Sequence, residues 1–315
     1  MRLIPSIMFV IACASGMSPG SVAEETAATH SLAPLDRLKD QMNDRDVFER
    51  KLRAFDKFYC AIARFNLEEA NSLKAVGDME GARNSIGQAR ENLELVKSAY
   101  ELGLHHFPDS ASLHNFYGEL LHDYYGQIQD AVDHWEAAIR LDETNARARN
   151  NVGMHYLHIG KYEDGLAHMD AALAADPENP DWSFNLVQVY LTNYVQVMRI
   201  RGWDRRKLYE EAMKLSERAV ALCPSEYDVL YDHGMNFFLA ERFGVTADWK
   251  RAAQTWKTAR KYARKDIQRF QCWLNEARVH LRAGDGDEAR RCLERTQEIM
   301  PDNPLVETLL DEVAN

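Results

Sequence analysis

The sequence predicts an all-α chain built from stacked helical hairpins, and three observations lead there. Four Pro residues, Pro108, Pro177 and Pro301 among them, stand where helices should end, and counting back from each returns a frame of about 34 residues. In the clearest frame Gly165 and Ala172 are seven residues apart on one helical face, which leaves room for a partner helix to approach closely. A composition of 46% hydrophobic and 28% charged residues can cover a continuous helical core, and a stack of hairpins needs no globular size limit.

Residues 1–23 stand apart from the rest. Arg2 precedes a short apolar run from Leu3 to Ala14, and Ser21-Val22-Ala23 supplies the small residues at which a signal peptidase cuts, so 1–23 is expected to be a signal peptide. Val10-Ile11-Ala12-Cys13 also resembles a bacterial lipobox, the alternative being a lipid anchor on Cys13. Residues 24–43 read as a flexible N-terminal segment. Residues 44–75 and 79–105 carry helical periodicity around Phe48, Leu52, Phe55, Leu95 and Tyr100, with Gly77-Asp78 as the turn between them. Together 44–110 read as one long atypical hairpin that caps the stack.

Five shorter hairpins follow. The unit 111–145 holds Gly118, Ala131, Trp135 and Ala138; the unit 146–179 holds Gly153, Tyr156, Tyr162, Gly165, Met169, Ala172 and Pro177. The unit 180–226 carries about thirteen extra residues between Tyr190 and Tyr209, and the unit 227–269, with Gly234, Ala252, Trp256 and Ala259, carries about six between Phe237 and Trp249. The unit 270–303 keeps Trp273, Ala277, Gly284, Ala289, Leu293 and Pro301, with Thr296 at a place for a small residue. Apolar Leu305, Val306, Leu309, Leu310 and Val313 then mark 304–315 as a capping helix.

These residues at these spacings resemble the tetratricopeptide repeat over about two thirds of the chain. The resemblance implies a right-handed α-α superhelical solenoid. It further implies a scaffold or adaptor that binds another protein or peptide, with no catalysis and no cofactor of its own. With the signal peptide, this places the protein in the periplasm or outside the cell, the alternative being a membrane-anchored lipoprotein. No window after residue 23 reaches the roughly 18 apolar residues that a membrane span needs.

Two surfaces are candidates for the partner. In the family the first helix of each hairpin lines a concave groove, and here those places hold Asn115, Arg147, Asn150, Asn151, Asn185, Tyr231, Asn275 and Arg278. Asn recurs at the sixth place as Asn151, Asn185 and Asn275, and an amide offers donors and an acceptor to a bound backbone. The same amides could instead hold neighbouring hairpins in register. The family's carboxylate clamp is not expected, because Asp181 and Phe184 stand where it needs basic groups. The second surface is the edge where the two insertions should meet, with Tyr194, Arg201, Trp203 and Arg206 facing a partner or, alternatively, the insertions covering each other.

Charge and motif content narrow the class. The chain is acidic, net −11, yet residues 193–269 hold 16 Lys and Arg against 10 Asp and Glu. That block could attract an acidic partner or pair with its own acidic neighbours; an exported acidic chain is not a nucleic-acid binder. P-loop, nucleophile-elbow and His-Glu-x-x-His signatures are absent. Eight of the eleven histidines fall between His105 and His168, and His155 and His158 are three apart, but spacing fixes no third ligand, so no metal site is expected there. A metal-dependent enzyme using that region and a self-associating architectural protein are the rival readings. Cys60, Cys223, Cys272 and Cys292 are expected to be free thiols.

Overall fold

The structure, a computed structural model, describes residues 33–314, and among these it has fifteen α-helices and no strand. The expected signal peptide at 1–23, its alternative of a lipobox at Cys13, and the beginning of the 24–43 segment lie outside the described residues. The described chain falls into two compact units, divided between Ala175 and Asp176.

The first unit contains α1 (Ala33–Lys39), α2 (Arg45–Ala75), α3 (Met79–His106), α4 (Ala111–Leu120), α5 (Ile128–Leu141), α6 (Ala146–His158) and α7 (Tyr162–Ala175). Helix α1 corrects the expectation of a flexible 24–43 segment. Leu38 is buried and Met42 packs on the core, so two apolar residues one turn apart dock this segment. Asp44 caps α2 by accepting from Val47 N at 3.1 Å, and Gly77, at φ +85°, turns the chain into α3. Phe48 and Leu52 of α2 are fully buried in one cluster with Val96, Ala99 and Tyr100 of α3. Helix α4 loosens into a π-helical turn, Leu121–Tyr125, which closes at Gly126 with φ +65°.

Close approach sets how each short hairpin crosses. A Cβ on Gly153 would lie 2.9 Å from the Gly165 carbonyl oxygen, and a Cβ on Gly165 would lie 2.9 Å from that of Gly153. Backbone meets backbone there, and no side chain fits. In the preceding hairpin a Cβ on Gly118 would meet Trp135 at 2.6 Å, so the indole fills the place that Met169 takes against Gly153.

The second unit contains α8 (Pro180–Thr192), α9 (Tyr194–Arg201), α10 (Arg205–Leu222), α11 (Tyr227–Phe237), a 3-10 turn (Ala240–Phe243), α12 (Trp249–Tyr262), α13 (Asp266–Ala283), α14 (Gly286–Ile299) and α15 (Pro304–Ala314). The insertion after Tyr190 is therefore helical: α9 ends at Gly202, φ +66°, and buries Val197. Helix α13 starts four residues before Phe270, because the Gln268 side chain accepts from Arg264 N and Lys265 N at 2.8 and 3.0 Å and caps an earlier turn. Helix α15 lays Val306 and Leu309 against Phe270, Leu274 and Leu293. Cys60, Cys272 and Cys292 are free thiols and buried, and Cys223 is half-buried. No helix among the described residues is long and apolar enough to cross a membrane.

Candidate protein-binding surfaces

In the first unit α2, α4 and α6 bring a polar cluster together around Glu119. Asn115 Nδ2 donates to Glu119 Oε1 at 3.1 Å, and Asn151 Nδ2 lies 3.2 Å from the same oxygen and 3.3 Å from Asn115 Oδ1. Arg147 approaches Glu119 at 3.6 Å and Arg53 at 3.8 Å. Both guanidiniums also lie over the Phe116 ring, their Cζ atoms 3.6 Å (Arg53) and 5.7 Å (Arg147) from its centroid. Cation–π attraction and a shared carboxylate thus hold two arginines from different hairpins on one aromatic face.

Arg53 ties this cluster to the core. Its guanidinium pairs with buried Asp56, which also accepts from Tyr100 Oη at 2.8 Å and from Cys60 Sγ at 3.1 Å. Burial, then the Asp56 charge, pushes the Tyr100 hydroxyl well above its ordinary value, so it stays a donor. Burial likewise pushes the Cys60 thiol up, and it too stays protonated.

Of the residues the sequence assigned to the groove, Asn115 and Asn150 are 2% and 7% exposed and Asn275 5%. Asn115 bridges α4 and α6, the register-holding alternative, and Asn275 accepts from Arg278 Nη1 at 2.9 Å within α13. Arg147, Asn151 and Arg278 keep partly exposed side chains. Arg53 and Phe116 were missed. Phe116 is the neighbour of Asn115 in α4, one place from the row the sequence followed, whereas Arg53 sits in a hairpin with no repeat register to locate it.

In the second unit Asn185 is half-buried on α8, and Tyr231 stands edge-on to Trp256 at 5.3 Å. Arg278 lies over Phe238 at 4.7 Å, and Arg282 lies over Trp249 at 5.5 Å. Gln188 donates to Asp232 Oδ2 at 3.1 Å. Burial, reinforced by Asp228, lifts the Asp232 carboxyl to about 6, and burial lowers the adjacent His233 to about 4. His233 Nδ1 is 2.8 Å from Ser216 Oγ.

The two insertions of this unit do meet. Tyr194 stands edge-on to Phe243 at 5.7 Å, Arg242 covers Tyr194 at 4.7 Å, and Arg206 Nη2 donates to the Gly244 carbonyl at 3.2 Å. Trp203 packs edge-on to Tyr190 at 5.7 Å, and the Arg201 guanidinium lies over the Trp203 ring at 5.9 Å. The apolar side of this edge is thus turned inward, Val197 and Phe243 being buried, while Arg206 remains exposed.

The histidine-rich stretch does not converge. His114 and His134 face each other with Nδ1 atoms 2.8 Å apart, His114 Nε2 donates to the Pro108 carbonyl at 3.1 Å, and His122 pairs with Asp123 at 2.8 Å. Among the described residues, the group of three metal-capable donors lies instead at Glu276, His280 and Cys292.

The family description "Tetratricopeptide repeat" matches residues 121–180 and 153–227. No curated protein matches the chain in sequence. Among solved structures, YrrB, titled a TPR protein with an unusual peptide-binding site, is 18% identical with a TM-score of 0.51, covering 67% of this chain and 97% of its own. Pseudomonas aeruginosa pilF is 17% identical with a TM-score of 0.51, covering 81% and 99%. The C-terminal part of a TPR repeat-containing protein from Cytophaga hutchinsonii is 16% identical with a TM-score of 0.52, covering 82% and 99%. At these identities the likeness is one of fold, an all-α solenoid. Paired glycines, Trp or Met in the facing slot, and the repeat match agree: residues 121–227 match the tetratricopeptide repeat, and the chain shares the all-α solenoid fold of solved proteins built from it.

Proposed function

We propose that the protein is a non-catalytic scaffold or adaptor of the cell envelope that binds another protein or peptide through the Arg53–Phe116–Arg147 face of its first unit. One observation carries this reading: two guanidiniums from α2 and α6 are fixed, partly exposed, on one aromatic ring with Asn151 beside them. A surface whose side chains are already ordered loses little conformational entropy on binding. Arg on an aromatic face offers a partner both charge and a flat apolar platform. The fold supports the same reading, since a solved protein of like fold is described as having a peptide-binding site. The envelope assignment rests on residues 1–23, with the lipid anchor at Cys13 as its alternative form.

Affinity capture on the immobilised chain from the host's envelope fraction, repeated with variants, tests this. Arg147→Ala with Asn151→Ala should weaken the captured partner's binding at least tenfold, about 1.4 kcal/mol or more. Trp203→Ala with Arg206→Ala should leave it unchanged. The reverse pattern would move the interface to the insertion edge, and loss in neither variant would sink both surfaces.

Self-association has its own observation. Phe58 and Phe65, seven residues apart on α2, are 42% and 65% exposed, an apolar stripe on the unit's outer hairpin. If copies associate there, light scattering should show a concentration-dependent dimer that Phe58→Ser with Phe65→Ser removes; a monomer at all concentrations rejects it.

A further inference from the structure

Glu276 and His280 stand one turn apart on the same face of α13, and Cys292 faces them from α14, the second helix of the same hairpin. A carboxylate oxygen, an imidazole nitrogen and the thiol sulfur all lie within 4.8 Å of one another. Glu276 and Cys292 are buried, at 6% and 3% exposure, and His280 is half-buried. Their surroundings are apolar: Leu274, Ala277, Leu293 and Val306 form the core of this hairpin. Bringing three metal-ligating side chains into such a place costs desolvation that packing alone does not return, since burying an ionisable group is unfavourable even where it is paired.

Neighbouring groups hold the donors in place. Arg260 of α12, stacked 3.3 Å from the Trp273 centroid, donates to Glu276 Oε2 and leaves Oε1 for an ion. Asp285 caps α14 through Oδ1, which accepts from Glu288 N at 3.2 Å, and sets Oδ2 3.5 Å from His280 Nδ1. A carboxylate beside a ligand imidazole and a donor on a ligand carboxylate are the outer contacts by which metal sites orient their ligands.

The geometry points to a zinc-type divalent cation held within the α13–α14 hairpin by Glu276, His280 and Cys292, with a fourth position open to water. The donor set decides the class: one thiolate, one imidazole and one carboxylate suit zinc, whereas magnesium and calcium prefer oxygen throughout. With three ligands from two antiparallel helices, the ion acts as a staple across the hairpin. Binding replaces the thiol proton, Cys292–SH plus Zn²⁺ giving Cys292–S–Zn⁺ plus H⁺, so affinity rises with pH.

The test uses the full chain, free of any affinity tag and stripped with chelator. Zinc titrated against a chromophoric competitor should bind one equivalent and raise the melting temperature, and cobalt(II) should give a thiolate-to-metal charge-transfer band in the near ultraviolet. Cys292→Ser should abolish the band, and Cys292→Ser or His280→Gln should each weaken zinc binding at least tenfold. Circular dichroism of the metal-free variants checks that they remain folded, and Glu276→Gln gives an independent ligand variant. Cys272→Ser and the pair His155→Ala, His158→Ala should bind as the parent does. Absence of zinc binding, a cobalt band that survives Cys292→Ser, or loss of binding confined to the His155/His158 variant would each overturn the proposal.

Discussion

Trp256→Ala is expected to lower stability by about 3–5 kcal/mol, the range for deleting a fully buried aromatic side chain. The indole is 0% exposed and seals the α11–α12 hairpin. Gly234 lies beneath it, so close that a Cβ there would sit 2.7 Å from the ring, and Tyr231 meets it edge-on at 5.3 Å. Those neighbours belong to a helix that cannot advance into the space, and the cavity stays open. Trp256→Phe should cost less than half as much, because the indole Nε1 is buried without a hydrogen-bond partner and nothing polar is lost with it. Gly234→Ala probes the same contact from the other side and should cost about 1–3 kcal/mol by overpacking. Urea unfolding midpoints of the three variants decide the matter. A Trp256→Ala variant within about 1 kcal/mol of the parent would mean that the hairpin can collapse and that the Gly–Trp contact does not set its crossing.

That Gly–Trp contact was legible in the sequence, and the reason is local. Gly118 with Trp135 and Gly153 with Met169 recur at nearly the same separation, and Gly234 with Trp256 departs from it only by the insertion of about six residues between their helices, since one hairpin geometry fixes which residues oppose each other. The hairpin turn at Gly77 was equally plain, because a left-handed residue at a helix end favours glycine. Features that depend on how a helix is rotated, or on elements outside the frame, were not legible. Arg53 reaches Phe116 from α2, whose partner α3 is longer than any helix of the short hairpins, so no register predicted the meeting. The helix inside the first insertion is short, and its buried Val197 belongs to no repeat period. Glu276, His280 and Cys292 are spread over seventeen positions and converge only because α14 is rotated to turn Cys292 toward α13; the sequence, by contrast, drew attention to His155 and His158, which gather no third donor among the described residues. The groove residues split for a similar reason. The repeat frame placed Asn115 and Asn151 on neighbouring first helices, but only their side-chain geometry shows that one amide bonds the other.

Asp232 and His233, adjacent on α11, should give opposite pH dependences when either is removed. His233 is a base whose folded value, about 4, lies below its ordinary 6.5. Between those values the unfolded chain binds more protons than the native one, so this group makes stability rise with pH, by up to about 3 kcal/mol across the window. Asp232 is an acid whose folded value, about 6, lies above its ordinary 3.8. Here the native chain binds more protons, and stability falls as pH rises from about 4 to 6, by about 2 kcal/mol once its partial exposure is allowed for. The two contributions oppose each other, so the pair leaves the parent protein with only a shallow slope in this range. His233→Gln removes the first and should leave a variant whose stability declines from pH 4 to pH 6. Asp232→Asn removes the second and should leave one whose stability climbs from pH 4 to pH 6.5. The remaining charges around the pair, Glu217 and Arg251 toward His233 and Asp228 toward Asp232, are common to both variants. Urea midpoints of the two variants at pH 4.5 and 6.5 should therefore diverge in sign, and parallel profiles would show that burial does not displace these two groups toward each other.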